Sequence, residues 1–206
     1  MTIFPALSGL DVSRETQARL DIYLALLRRW NPRINLVSQA TLDNAWGRHV
    51  VDSAQLLPLC PQTARSWVDL GSGGGLPGIV VACMAAETHP ALSVTLIESD
   101  ARKTVFLQTV ARELELSVRV LSQRIEAAHP QHADVVSARA LAPLDRLLSY
   151  VERHVAPGGC ALLHKGARYD EELSTALASW DFSYEIYPSR TAAASVILKI
   201  EGLCRA

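Results

Sequence analysis

The densest chemical signal in the chain is one ten-residue run, Asp69-Leu70-Gly71-Ser72-Gly73-Gly74-Gly75-Leu76-Pro77-Gly78. Glycines in that number permit a sharp strand-to-helix turn and let a ligand approach peptide N–H groups that a Cβ would screen. About twenty residues further on, the run SVTLIE ends in Glu98, a carboxylate placed at a strand end to accept hydrogen bonds from two ribose hydroxyls. Loop and acid together point to an adenosine-containing ligand. Gly73 to Gly78 satisfies GxGxxG, which keeps a nicotinamide or flavin dinucleotide open as one reading. Asp69, two residues before Gly71, argues against it: a carboxylate there would repel a pyrophosphate but would attract an ammonium. No Gly-Lys-Ser/Thr follows the glycines, so a P-loop is excluded. S-adenosylmethionine meets all three demands, with its ribose for Glu98, its carboxylate for the N–H groups around Gly71, Gly73 and Gly75, and its ammonium for Asp69. The plainer alternative is a tight turn that binds nothing, with Asp69 capping the helix.

These residues need a scaffold, and the apolar pattern predicts one. Short apolar runs alternate with helical patterns: WVDL then 77–86, SVTLIE then 101–116, ADVVSA then 143–155, CALLHK then 169–180. That alternation predicts a doubly wound α/β sheet with helices on both faces. Two last runs, FSYEIY and SVILKI, are joined by too few residues for a crossover helix, so one of them should run antiparallel at the sheet end. Upstream, residues 13–30 read as an amphipathic helix capped by Ser13 and stopped by Asn31-Pro32, and residues 42–57 as a second helix. The expected organisation is a helical cap over residues 1–60 and one α/β domain over 61–206.

Composition sets the outer limits. A 206-residue chain with 49% hydrophobic and 20% charged residues can bury one full core, which excludes a disordered or disulfide-scaffold chain. No apolar run approaches the ~18 residues of a membrane span, and the N-terminus lacks the order of a secretory signal. The expected compartment is the cytoplasm, with no membrane partner. Cys60, Cys83, Cys160 and Cys204 form no paired motif, so neither a metal site nor a redox pair is expected. With 20 bases against 21 acids, bulk charge gives no argument for nucleic acid.

Several segments together resemble the bacterial 16S ribosomal RNA methyltransferase G family, also called the glucose-inhibited division protein B family. They are WNPRINLVS (30–38), RHVVDSAQLLP (48–58), DLGSGGGLPGIV (69–80), TLIES (95–99) with Arg102-Lys103, the run from Ser137 to Leu144, and Leu163-His164-Lys165-Gly166. The resemblance spans nearly the whole chain. It implies a class I methyltransferase fold, Rossmann-like, with a mostly parallel seven-stranded sheet, that transfers a methyl group from S-adenosylmethionine to N7 of a guanosine in 16S ribosomal RNA. Carried over to this sequence, the family's cofactor contacts fall on Gly71, Leu76, Ile125, Glu126 and Arg139. One departure is the alanine-rich stretch Ala192–Ala194 before the last strand, where bulkier apolar residues are expected.

Guanine N7 carries an in-plane lone pair and no proton, so its methylation needs no base. The sequence agrees with such chemistry: Asn31-Pro32 is followed by Arg33 rather than an aromatic residue, and no Pro-Cys or Thr-Cys pair is present to supply a carbon-methylating nucleophile. Arg139 is expected to act in catalysis, touching the cofactor and donating to guanine O6. The residues expected to grip RNA are Arg48, His49, Arg102, Lys103 and Lys165. Arg28 and Arg29 read as an exposed helix face, Trp30 as core, and His49 with Asp52 as a satisfied side-chain pair. The partner is then 16S ribosomal RNA or the small-subunit particle, not DNA, met by a monomer. A methyltransferase for another RNA or a small molecule, a nicotinamide oxidoreductase, and an RNA-binding protein with a relic pocket remain the alternatives.

Overall fold

The computed structural model describes residues 12–206; the first eleven residues of the expected cap lie outside the described residues. Seven strands form one sheet in the order β3-β2-β1-β4-β5-β7-β6. They are β1 (Ser66–Leu70), β2 (Ser93–Glu98), β3 (Val118–Ser122), β4 (Ala133–Arg139), β5 (Val155–Lys165), β6 (Trp180–Pro188) and β7 (Val196–Arg205). β1 to β5 pair in parallel, and β7 runs antiparallel to both β5 and β6. The antiparallel strand expected from the short connection is therefore β7, slotted inside the edge strand β6. Chain direction across the sheet reverses between β1 and β4, and doubly wound sheets bind ligands outside the strand ends at such a switch point.

Alternate strand residues face opposite cores. Trp67, Val135, Leu162 and Ile197 join one apolar cluster with α4 (Gly78–Thr88) and α5 (Ala101–Glu113). Val68, Val136, Ala161 and Leu198 join the other, with α6 (Leu144–His154) and α7 (Tyr169–Ala176). This is the period-two exposure of a sheet covered on both faces. Every residue of α4 from Gly78 to Ala85 is buried, because α4 lies between the sheet and α1 (Arg14–Ile34). Leu20, Tyr23, Leu24 and Leu27 of α1 belong to the same cluster as α4 and the sheet.

The N-terminal segment departs from expectation in two places. Asn31-Pro32 does not stop α1, which continues to Ile34 and ends at Asn35 in the left-handed region. Proline removes one N–H and crowds one carbonyl of the preceding turn, and so close to the helix end little helix remains to be disrupted. The stop comes from the buried Asn31 side chain, whose Oδ1 accepts from the N–H groups of Leu36 (2.9 Å) and Val37 (2.8 Å). The second expected helix is broken into α2 (Gln39–Leu42), a π-helical turn (Trp46–Val51), α3 (Asp52–Ala54) and a 3-10 turn (Leu57–Leu59). π-helical turns are rare and concentrate at functional sites.

Among the described residues no helix is long and apolar enough to cross a membrane, and no group of His, Cys, Asp and Glu is placed to hold a metal ion. Asn31→Ala strands two backbone donors and should lower the unfolding free energy by about 2 kcal/mol. Urea denaturation checks this; unchanged stability would mean that water satisfies both groups.

Candidate active site

The glycine turn is held from beneath. Asp69 is fully buried at the end of β1, and its Oδ1 accepts from the Ser137 hydroxyl of β4 at 2.7 Å. Ser137 Oγ in turn accepts from Trp67 Nε1 at 2.8 Å. Asp69 Oδ2 accepts from the N–H of Gly78, the first residue of α4, at 3.2 Å. Gly78 can only be glycine here, since a Cβ would stand 2.3 Å from Leu96 Cδ2 and 2.9 Å from Asp69 Oδ2. From the opposite side Tyr23 of α1 donates its hydroxyl hydrogen to the Gly74 carbonyl at 2.7 Å. Burial pushes the Asp69 carboxyl up to about 6, against the pull of its hydrogen bonds to Ser137, Ser72 and Gly78.

Both Asp69 oxygens bind protein, and neither hollow beside the loop is lined by it, so the carboxylate expected to meet an ammonium also shapes the loop. Gly75 is buried against Ile79 and Leu107 and lines neither hollow.

Gly71 and Gly73 separate two hollows and line both. Neither hollow gains a covering side chain from Gly73, where a Cβ would meet nothing closer than the Gly71 carbonyl at 3.8 Å. The first hollow, about 360 Å³, holds Glu98, Ile125 and Glu126. Glu98 is buried at the end of β2, with Oε2 accepting from Gly73 N–H and Oε1 from Asp100 N–H, each at 2.8 Å. Each carboxylate oxygen keeps a further lone pair. Ile125 supplies a buried apolar wall, and the exposed Glu126 accepts from the Tyr150 hydroxyl at 2.7 Å.

The second hollow, about 500 Å³, lies between the loop and the π-helical turn and is lined by Leu76, Arg48, His49, Lys103, Arg139 and Lys165 among others. Arg139 ends β4 and gives Nη1 hydrogens to Asp52 Oδ2 and the Arg48 carbonyl, both at 3.2 Å. Asp52 also accepts from the hydroxyls of Ser189 (3.2 Å) and Thr191 (2.7 Å) in the β6–β7 connection. Burial works against the Asp52 charge, but His164, Thr191 and Arg139 outweigh it and hold the carboxyl below its ordinary range. The buried His164 donates Nε2–H to the Asp52 carbonyl at 3.0 Å, and burial lowers its pKa against the pull of the Asp52 carboxylate.

Two residues expected to grip RNA have other work. His49 is buried, and burial followed by the Arg139 charge brings it down to about 4, so it is an uncharged partner of Arg139. It and Asp52 are not bonded to each other; each binds Arg139. Lys165 is buried in an ion pair with Glu172 and donates to the Ala142 carbonyl at 3.1 Å. Arg102 turns back onto Asp100, the N-cap of α5, and lines neither hollow. Arg48 is exposed at the second hollow, and Lys103 lines both.

Residues 16–196 match the family described as rRNA small subunit methyltransferase G. The ribosomal RNA small subunit methyltransferase G of Ruegeria sp. (strain TM1040) is 50% identical over 196 residues, 95% of each chain. That of Ruegeria pomeroyi is 47% identical over 201 residues, 98% of each chain. Among solved structures, a methyltransferase from Geobacter sulfurreducens superposes with a TM-score of 0.59 at 16% identity, covering 94% of this chain and 98% of that one. A SAM-dependent methyltransferase from Aquifex aeolicus gives 0.60 at 12% identity, over 86% and 98%. These two likenesses establish the class I methyltransferase fold.

The raised pKa of Asp69 carries a signature. From its ordinary value of 3.8 up to about 6, the folded chain holds a proton that the unfolded chain releases. Stability from this group is therefore fullest below the lower value and falls as pH rises through the upper one. Between pH 4 and 7, the unfolding free energy of Asp69→Asn should gain on the parent by about 2 to 3 kcal/mol. A gap that does not change with pH, measured by urea unfolding, would contradict the assignment.

Proposed function

This chain belongs to the rRNA small subunit methyltransferase G family, and from that premise we propose that it methylates N7 of a guanosine in 16S ribosomal RNA, with S-adenosylmethionine as methyl donor. The observation that carries the reading is the pair of hollows joined across bare main chain at Gly71 and Gly73, with Glu98 on one side and Arg139 on the other. The fit to the cofactor is good. Glu98 has lone pairs for ribose hydroxyls, Ile125 offers an apolar wall and Glu126 a polar edge for adenine, and Gly71, Gly73 and Leu76 supply main chain for the amino-acid end. The Asp69 carboxylate, ionised at neutral pH, sets a negative charge beneath that end.

When bound, S-adenosylmethionine supplies an electrophilic methyl group on a sulfonium. What the chain must add is position. N7 brings its own lone pair, so no free base is required; Asp52 is engaged with Arg139 and Thr191, and His49 with Arg139 and Thr41. Holding two reactants in line is worth about 7 to 11 kcal/mol of barrier. Arg139 contributes by touching the cofactor and donating to guanine O6, which marks guanine out from adenine at the edge beside N7. Arg48 and Lys103, at the mouth, and Arg102, further out, meet RNA phosphates. We place the activity in the cytoplasm, on 16S RNA or the small-subunit particle, carried out by a monomer without membrane or DNA.

Calorimetry with S-adenosylhomocysteine and with NAD tests the cofactor: the first should bind and the second should not, and the reverse would restore the dinucleotide reading. Arg139→Lys keeps a cation beside Asp52 but loses the planar fork. It should lower methyl transfer by at least about tenfold with the melting temperature almost unchanged; full activity would remove Arg139 from catalysis. Lys103→Ala should weaken RNA binding and lower the salt slope by about one, and an unaltered slope would place the phosphates elsewhere.

A further inference from the structure

The setting of Arg139 is more constrained than a single ion pair would make it. A guanidinium has five N–H donors and no acceptor. Nη1 spends two, on the Arg48 carbonyl and Asp52 Oδ2, and Nη2 spends one on His49 Nδ1 at 3.0 Å. Because its neighbour can only donate, Nδ1 of His49 carries no hydrogen. The ring proton therefore sits on Nε2, which donates to Thr41 Oγ1 at 2.9 Å, and the Thr41 hydroxyl donates to the Ser38 carbonyl at 2.8 Å. The imidazole is thus gripped from both ends and buried. All three partners of Arg139 come from the π-helical turn and the residue that follows it. Two donors, Nε–H and the second Nη2–H, have no partner among the described residues, and Arg139 lines the second hollow with its side chain 17% exposed.

We propose that His49 is a positioning residue for methyl transfer: its bare Nδ1, with Asp52 and the Arg48 carbonyl, fixes the plane of the Arg139 fork and turns the two unspent donors toward cofactor and guanine. The inference rests on the cofactor reading given above. It assigns the π-helical turn a purpose, since this short segment joins the helical N-terminus to the end of β4 at the point where the sheet reverses.

Two substitutions separate positioning from mere packing. In His49→Asn the amide oxygen can stand where Nδ1 stood and accept from Arg139, while the Thr41 contact is lost. In His49→Gln the amide sits one carbon further out, near the place of Nε2, and the Nδ1 acceptor is lost. For both variants, S-adenosylhomocysteine affinity is measured by calorimetry, methyl transfer to 16S RNA in single turnover, and melting temperature. His49→Gln should bind about tenfold more weakly and transfer correspondingly slower at nearly the parent melting temperature, whereas His49→Asn should recover both to within about threefold. If His49→Gln binds and transfers like the parent, or if both variants lose activity equally and in step with melting temperature, the proposal is overturned. A parent chain that does not bind S-adenosylhomocysteine would overturn the cofactor reading, an outcome distinct from parent binding with unaffected variants.

Discussion

A carboxylate sealed under a glycine turn is the constraint on which this structure depends. Asp69 touches β4 through Ser137 and the start of α4 through Gly78. It therefore joins the two strands that flank the sheet's reversal to the helix that leaves the loop. Burying an ionisable group is unfavourable unless its hydrogen bonds are made. Here the geometry of those bonds also dictates where the loop's main chain lies. With the oxygens turned inward, the outer face of Gly71 and Gly73 is left as bare peptide, and the two hollows meet across it.

The N-terminal helical segment completes this arrangement. Tyr23 binds the back of the loop at the Gly74 carbonyl, Asn31 turns the chain out of α1, and the π-helical turn then delivers the partners of Arg139. Asp52 extends the same network to β5 through its backbone carbonyl and to the β6–β7 connection through Ser189 and Thr191. Six separate parts of the chain thus converge on one hollow. The alanine-rich connection contributes Thr191 and Ala192 to its wall, so the departure from the family's bulkier residues lies at this hollow.

Features encoded by local spacing were legible in the sequence. The glycine run, Glu98 at its strand end, the alternation of strands and helices, and the short connection that forces β7 to run antiparallel all follow from residues close together in the chain. Features decided by distant partners were not. Asp69 reads as a ligand contact, and nothing near it in the chain announces its bond to Ser137, 68 residues away. His49 and Lys165 read as cations for RNA because a sequence displays charge and not its partner; Arg139 and Glu172 supply those partners only after folding. Pro32 reads as a helix stop by its own rule, yet the side chain that ends α1 is the neighbouring Asn31, whose acceptor meets donors further along the chain. The family resemblance named residues around both hollows, but it gave no orientation to any of them.

The central claim is that main chain shaped by a buried acid sets a methyl donor beside an already nucleophilic ring nitrogen. Its most direct test uses 16S ribosomal RNA from cells lacking the activity, incubated with the chain and S-adenosylmethionine, then reduced with borohydride and treated with aniline, which cleaves at N7-methylguanosine. The account predicts a new cleavage at one guanosine, dependent on the chain. Methyl incorporation without cleavage would put the methyl group on another atom and contradict it.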